Sequence, residues 1–566
     1  MEGLYMNSYK EQKFFIYAIC SVLFFLLITH CFVPITYAVN DDVIMRTIAS
    51  GEATGAPDGH LIYVQYVIGA ILAFLYRVYR DIDWYGCFML GVILFCTLLF
   101  LWRSKKVFKN NILLGIAAVL AIFSVAIFEN IVNFQFTVVS GIAAATAIFY
   151  YNTIDTKGKS YYWDYLIVIL LAWISYSIRA NVFMMALPFA GITFLFKEGK
   201  WKEKLIFCVI LFSGIIAITL VEKEAYASED WKDYQSFNEY GTVPLYDYYG
   251  IPNYSENKDF YMSIGMGEHD VKNLEEYNLY FVEKIDEGKM EQIGQYAQTL
   301  WKQQPLSERI VTGIRMTIKG CFGTRAVLLN LLAKCLLIAN LWFEIKNRKK
   351  AVWQSLAIFM FQMILALYLG YKGRMVVRVI TSLFLIEFFS QLSIWYREHR
   401  DLPQKLLEKK NIKILFAGMI CLTLFMTAEV CQNQQIKYQR NLEWETLQAF
   451  CRDNPENVYF TNTYYVVRYT DNFQVFRKSY LKNCSRLGEW TTFSPVDNAE
   501  MKRYGIDKVD KAFIEQENVY LIFESPASWV DAHYLGEYGS IQWIEVDQAP
   551  MGQGYMPVYK LQAKER

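Results

Sequence analysis

Uncharged apolar stretches, separated by short polar or basic loops, run through residues 14–430. Those at 14–38, 84–102, 111–128, 132–153, 180–196, 205–221 and 351–371 are uninterrupted. Those at 162–178, 324–343, 376–396 and 412–430 are less clean. Each is near the roughly 20 mostly apolar residues that a membrane-spanning helix needs. One more apolar stretch, 60–76, fits either a span or a helix lying on the membrane surface.

Loop charge decides between these, because short cytoplasmic loops collect Lys and Arg. The basic loops are Arg103–Lys109, Lys157–Lys159, Lys197–Lys204, Lys346–Lys350 and Arg397–Lys410. If 60–76 crosses, the first of them falls outside and the later ones follow it. If 60–76 lies on the outer surface, all five fall inside. The second arrangement predicts about eleven spans, a cytoplasmic N-terminus and an extracytoplasmic C-terminus.

The expected architecture is a mainly α-helical polytopic membrane protein with a small extracytoplasmic α/β domain. Its membrane part is 1–430, with a first outer loop at 39–83 and a long outer loop at 222–323. Tight outer turns fall at 128–132 and 178–181. The long loop is rich in tyrosine (Tyr234, Tyr240, Tyr246, Tyr248, Tyr249, Tyr254). Short helices lying on the bilayer are expected there, since Tyr favours the interface. The C-terminal domain, 431–566, mixes a helical run at Glu445–Arg452 with strand-like runs at Val458–Thr461, Val519–Phe523, Ile541–Val546 and Val558–Leu561.

Composition agrees. The 566-residue chain is 54% hydrophobic, with mean hydropathy +0.17. That is too apolar for an ordinary soluble protein and too dilute for a bare helical bundle. A net charge of +1 gives no reason to expect nucleic acid as a partner. The run from Phe14 to Asn40 is too long for the core of a cleavable signal. Of the 11 cysteines, Cys20, Cys31, Cys87, Cys96, Cys208 and Cys421 lie in apolar runs, and none forms a zinc-type cluster. Cys451 and Cys484 lie in the polar domain, where a disulfide between them is conceivable.

Polar residues gather on the expected outer side. Asp41 and Asp42 follow the first span, and Asp58-Gly-His60 leads into the surface helix. Glu129, Asn130 and Gln135 mark the outer turn. Arg179, Arg374 and Arg378 stand at span ends. Arginines at helix ends often only snorkel to the headgroups. Arg is disfavoured on the outer face, however, so three of them there call for an anionic partner. Lys334 and Glu387 lie at similar depth inside two spans. A charge at that depth is costly unless paired, so a direct Lys334–Glu387 contact is expected.

The acidic pair after the first helix, the Asp58-Gly-His60-Leu-Ile-Tyr63 loop, the surface helix to Tyr76 and the inward span that follows resemble the GT-C superfamily of membrane glycosyltransferases. That group includes protein mannosyltransferases, lipid A aminoarabinose transferases and bacterial relatives acting on wall polymers. The resemblance implies a plasma-membrane enzyme using a polyprenyl-phosphate-linked sugar donor on the outer face. The acceptor would be a cell-envelope glycan or protein. Asp41 would match the catalytic carboxylate and act as general base. Asp42 could assist it or hold a divalent cation, Mg or Mn. His60, Arg179, Arg374, Arg378, Glu129 and Gln135 are candidates for substrate binding. The long loop carries no second DxD signature. The alternatives are a flippase or transporter of lipid-linked glycans, and a non-catalytic scaffold or receptor. A transporter should show interrupted midplane helices or a repeat, and the sequence shows neither.

Overall fold

The computed structural model describes residues 2–155, 161–283, 285–323, 326–344, 349–398 and 409–564. The expected basic loops at 157–159 and 346–348, and most of 397–410, lie outside the described residues. Among those described, eight helices are long and apolar enough to cross a membrane. They are Asn7–His30, Trp84–Phe108, Ile112–Val132, Tyr161–Ile178, Trp201–Ala225, Lys349–Tyr371, Val377–Glu398 and Lys410–Asp453.

The remaining expected spans have physical reasons to stand apart. Phe136–Thr153 is buried all round, from Phe136 to Asn152. Such a helix needs little lipid-facing hydrophobicity, because protein surrounds it. It packs against Val377–Glu398 so closely that a Cβ on Gly141 would come within 2.8 Å of the Ser382 side chain. Ala180–Phe196 is a shorter apolar helix of 17 residues, with Pro188 inside it. Val327–Phe343 forms a bent pair with Leu306–Phe322.

The Lys334–Glu387 contact is present. Lys334 Nζ lies 2.6 Å from both carboxylate oxygens of Glu387 and 2.8 Å from Gln362 Oε1. Glu387 is fully buried. Three acceptor atoms around one ammonium group replace the water that both charges lose.

The first helix ends at His30, short of the expected 38. Residues 31–39 then run to a two-residue strand, β1 (Thr36–Tyr37). It pairs in parallel with β2 (Asn133–Phe134). The expected tight turn at 128–132 is not a turn. A π-helical segment, Ser124–Phe128, carries the helix on through Val132 before β2 begins. A new helix, Asn40–Ser50, holds Asp41 and Asp42 in its first turn. There carboxylates meet the positive end of the helix dipole.

Residues 39–83 begin and end on one face of the bundle. Thr36 bridges to Asn472 and Ile82 bridges to Phe476, both in the C-terminal domain. Between them, Arg503 Nε donates to Ala53 O. The apolar stretch at 60–76 forms the helix Tyr66–Val78, only 13 residues long. Its length of about 20 Å falls well short of a bilayer core of about 30 Å.

The long loop folds differently from the expectation. Glu229–Ser236, Phe237–Tyr249, Lys258–Ser263, Glu268–Glu275 and Glu287–Gln303 build a small helical unit. Its own core includes Phe237, Leu245, Tyr261, Leu274, Met290 and Ile293. Its tyrosines divide: Tyr246, Tyr249 and Tyr254 pack against that core, while Tyr240 and Tyr248 are exposed. Tyr234 is buried and donates to Trp490 O, and Tyr246 donates to Leu274 O. Only Leu306–Phe322 matches the bilayer-lying helix, with Leu306, Ile310, Ile314, Ile318 and Phe322 exposed at four-residue spacing.

The last helix, Lys409–Asp453, is continuous for 45 residues and carries the chain from its apolar run straight into the C-terminal domain. That domain holds a five-stranded sheet ordered β4-β3-β5-β7-β6. The strands are β3 (Val458–Thr461), β4 (Cys484–Arg486), β5 (Val519–Ile522), β6 (Ile541–Met551) and β7 (Gly554–Ala563). Strands β3, β4 and β5 are parallel, and β6–β7 is an antiparallel hairpin. Alternating residues cover both faces. Val458 and Phe460 join a core with Phe513 and Leu561, while Tyr459 joins Trp444 and Leu447 of the last helix. The short strand β4 escaped the sequence reading because Cys-Ser-Arg carries no apolar alternation. Cys451 and Cys484 are neighbours but free thiols. Asn483 Nδ2 donates to Cys451 O at 2.6 Å.

Candidate functional site

Asp41 and Asp42 are adjacent in sequence but occupy different surroundings. Asp42 is fully buried. Its Oδ1 accepts from Tyr85 Oη at 2.9 Å and from Phe136 N at 3.1 Å. It therefore ties the Asn40–Ser50 helix to two others, Trp84–Phe108 and the start of Phe136–Thr153. Burial pushes its pKa up to about 8, against the lowering pull of those hydrogen bonds. At neutral pH Asp42 is mostly a neutral acid with a structural task.

Asp41 is 15% exposed and faces arginines. Arg378 Nη2 stands 3.8 Å from Asp41 Oδ2. Burial raises the Asp41 pKa, and the positive charges of Arg378, Arg179 and Arg486 pull it back. Arg179 lies over the rings of Tyr63, at 4.7 Å, and Phe136, at 5.4 Å. Arg374 is one step further out, paired with Asp247 of the long loop at 2.5 Å. The structure thus brings Asp41, Arg179 and Arg378 together, with Arg374 beside them.

Three contributors were missed in the sequence. Arg486 comes from β4 of the C-terminal domain and is held by Glu489, Nη1 to Oε2 at 3.0 Å. Trp490 follows it and packs on Tyr63 with ring centroids 4.5 Å apart. Its buried Nε1 has no hydrogen-bond partner among the described residues. Asp247 belongs to a loop whose path no local pattern reveals. Nothing near Arg486 or Asp247 in sequence marks them, because tertiary contacts alone bring them to Asp41.

The other candidates are placed otherwise. His60 lies between Asp58 Oδ1, 2.6 Å from Nδ1, and Ala225 O, 3.1 Å from Nε2. Both partners are acceptors, an arrangement that favours the protonated ring. Burial alone would lower its pKa, but the Asp58 carboxylate raises it. The ring also stacks on Trp231 at 5.1 Å. His60 thus anchors the surface helix to the long loop, with neither nitrogen left over for a substrate. Gln135 is buried, and its Oε1 caps the Phe136–Thr153 helix at Val138 N, 3.0 Å away. Glu129, Asn130, Gln135 and Arg378 line a cavity of about 270 Å³ whose remaining wall is largely apolar.

The donor set does not suit a divalent cation. Guanidinium groups surround Asp41, and Asp42 holds its proton up to about pH 8. Among the described residues, no three of His, Cys, Asp and Glu gather at one point. The chemistry is therefore derived from side chains alone.

The C-terminal domain is fastened next to this site. Arg46, on the same helix as Asp41, is 2% exposed and bonds Asp471 at 2.8 Å and Glu52 at 3.3 Å. Arg477 joins Asp471 at 2.8 Å. Backbone bonds from Tyr37 N to Asp471 O and from Lys482 N to Glu52 O continue the seam.

No family model matches the chain, and no curated protein does. Two solved structures are similar in layout. One is ArnT from Cupriavidus metallidurans bound to undecaprenyl phosphate, 9% identical with TM-score 0.40. The other is the same protein in the apo state, 10% identical with TM-score 0.37. Each alignment covers 96% of this chain and 98% of the other. At these identities and scores the likeness assigns no residue, and the site is read from its own geometry.

Proposed function

We propose that this chain transfers a sugar from a polyprenyl-phosphate-linked donor to a cell-envelope acceptor on the outer face of the plasma membrane, with Asp41 as general base. One observation carries the reading: Asp41 is a half-buried carboxylate within the field of Arg378, Arg179 and Arg486, at the end of the helix bundle that bears the C-terminal domain. With the basic loops inside, that end is the outer one.

The chemistry needs both kinds of group. An acceptor hydroxyl attacks the anomeric carbon as the bond from that carbon to the phosphate oxygen breaks. The hydroxyl proton goes to Asp41, and the leaving lipid phosphate keeps the electron pair. A carboxylate whose pKa is raised by burial is a stronger base than one in water. The arginines stabilise the charge that grows on the phosphate.

The test is transfer from a polyprenyl-phosphate sugar by purified wild-type and Asp41→Asn protein. The variant is expected to lose about 100-fold or more in kcat. Equal turnover in the two would remove Asp41 from the mechanism, and no transfer by the wild type would leave a flippase or a scaffold as the better reading.

A further inference from the structure

A second cavity, of about 350 Å³, adjoins the first. Ala38, Glu129 and Asn133 line both, so one wall is shared between the chamber that holds Arg378 and this one. Its own cations are Lys437, Arg440 and Arg468. Lys437 and Arg440 come from the last helix, and Arg468 comes from the C-terminal domain.

These three cations are not equivalent. Lys437 Nζ donates to Ala38 O at 2.7 Å and to Asn133 Oδ1 at 2.8 Å, which fixes it in the wall. Gln434 braces the same wall through Val132 O, Thr36 Oγ1 and Pro34 O. Arg468 lies over the Tyr465 ring at 4.7 Å and donates to Tyr469 Oη at 3.2 Å, leaving the rest of its guanidinium outward. Arg440 is exposed and has no carboxylate partner among the described residues. The cavity lies where the last helix changes from its apolar run to Asn433, Gln434 and Lys437. Exposed Ile436 (56%) and buried Val430 line the cavity with the cations.

Outward guanidinium groups on a braced wall, with apolar side chains alongside, suit a phosphate group borne by an amphiphile. We infer that the Arg440–Arg468 cavity binds a phosphate group, supplied by a membrane amphiphile, beside the cavity that holds Arg378. Resting on the proposed function, it is the subsite for a phosphate-bearing acceptor. The shared wall sets such an acceptor beside the cavity that holds Arg378, while its phosphate stays off that arginine, which is left for the donor.

The test uses the full chain. Retained lipid is counted by native mass spectrometry after exposure to phosphatidylglycerol or phosphatidylcholine. In parallel, inorganic phosphate is titrated into protein held in phosphatidylcholine nanodiscs. Wild type should retain phosphatidylglycerol over phosphatidylcholine. Arg440→Gln with Arg468→Gln should cut that retention about fivefold, the scale of two exposed charge contacts. The Arg440→Lys, Arg468→Lys variant should keep most of it. Inorganic phosphate that binds wild type without any phosphatidylglycerol preference would assign the phosphate to a water-borne molecule and overturn the amphiphile. Wild-type-like binding of both probes by the double Gln variant would overturn the site itself. Asp41→Asn should bind both probes as wild type does, so failure of the base assignment and failure of this site give different results.

Discussion

The Asn40–Ser50 helix carries two clusters of acids and arginines, and they differ in charge balance and access. Around Arg46, two guanidinium groups face two carboxylates, Asp471 and Glu52, in a sealed seam with contacts as short as 2.8 Å. One turn away, around Asp41, four arginines (179, 374, 378 and 486) face Asp41, Asp247 and Glu489, and the Asp41–Arg378 contact is loose at 3.8 Å. A balanced, closed cluster leaves no net charge for a ligand, and its task is to hold the domain. A cluster with one positive charge over, partly open, leaves a place for an anion. The helix thus joins a fastening to a site at a spacing of five residues.

The largest expected effect separates these roles outright. Asp41→Asn should lower transfer about 100-fold or more, with the thermal midpoint little changed. Arg46→Met should do the reverse at first order. It strands Glu52 in the seam, leaves Asp471 with Arg477 alone and should cost about 3 kcal/mol or more of stability, read by thermal unfolding of detergent-purified protein. Comparable turnover per folded molecule at low temperature would confirm that the seam only fastens.

The buried pair in the membrane is a third point on this scale. Lys334→Met or Glu387→Leu alone should each destabilise by about 3 kcal/mol or more, and the double variant by less than either. Additive losses in the same unfolding assay would deny the coupling.

The smallest effect is a pH dependence, and its sign differs between the clusters. Asp41 has a raised pKa and must be ionised to accept a proton, so kcat should fall as pH drops through a value above the ordinary carboxylate range. Burial alone would raise Asp471 too, but Arg477 and Arg46 hold it well below the usual range. Its contribution to stability is complete above the unfolded pKa of about 4 and is lost only as pH falls toward its folded value. Activity should therefore decline in mild acid before stability does. A pH–rate profile beside a pH–melting profile would show the two separated or merged.

Much of this was legible in the sequence where the signal is local or set by the solvent. The long apolar helices and the Lys334–Glu387 pair follow from the cost of polar groups in lipid, and the short helix at Tyr66–Val78 fits the arrangement drawn from loop charge. Four of the five strands and the Asp41–Arg378 association could also be read. What could not be read is what folding joins from afar. The Asn40–Ser50 helix has an apolar content too low to announce itself. His60 looked like a ligand because a lone His before a helix gives no hint that Asp58 and Ala225 will occupy both its nitrogens. Arg46 passed as a loop residue, since its partner Asp471 is 425 positions away. Arg486 reaches Asp41 only because β4 adds to the sheet beside β3.

The 45-residue last helix has a mechanical consequence. At 1.5 Å per residue it is a rod of about 67 Å, anchored at one end by lipid and at the other by the sheet domain that supplies Arg486 and Arg468. Its apolar stretch sets the height at which that domain rides over the membrane. Adding one residue to that stretch would lift the far end by about 1.5 Å and turn it by about 100°, carrying both arginines out of register with Asp41. Bilayer thickness thereby becomes a variable of the chemistry, as a ruler's zero mark is of every length read from it.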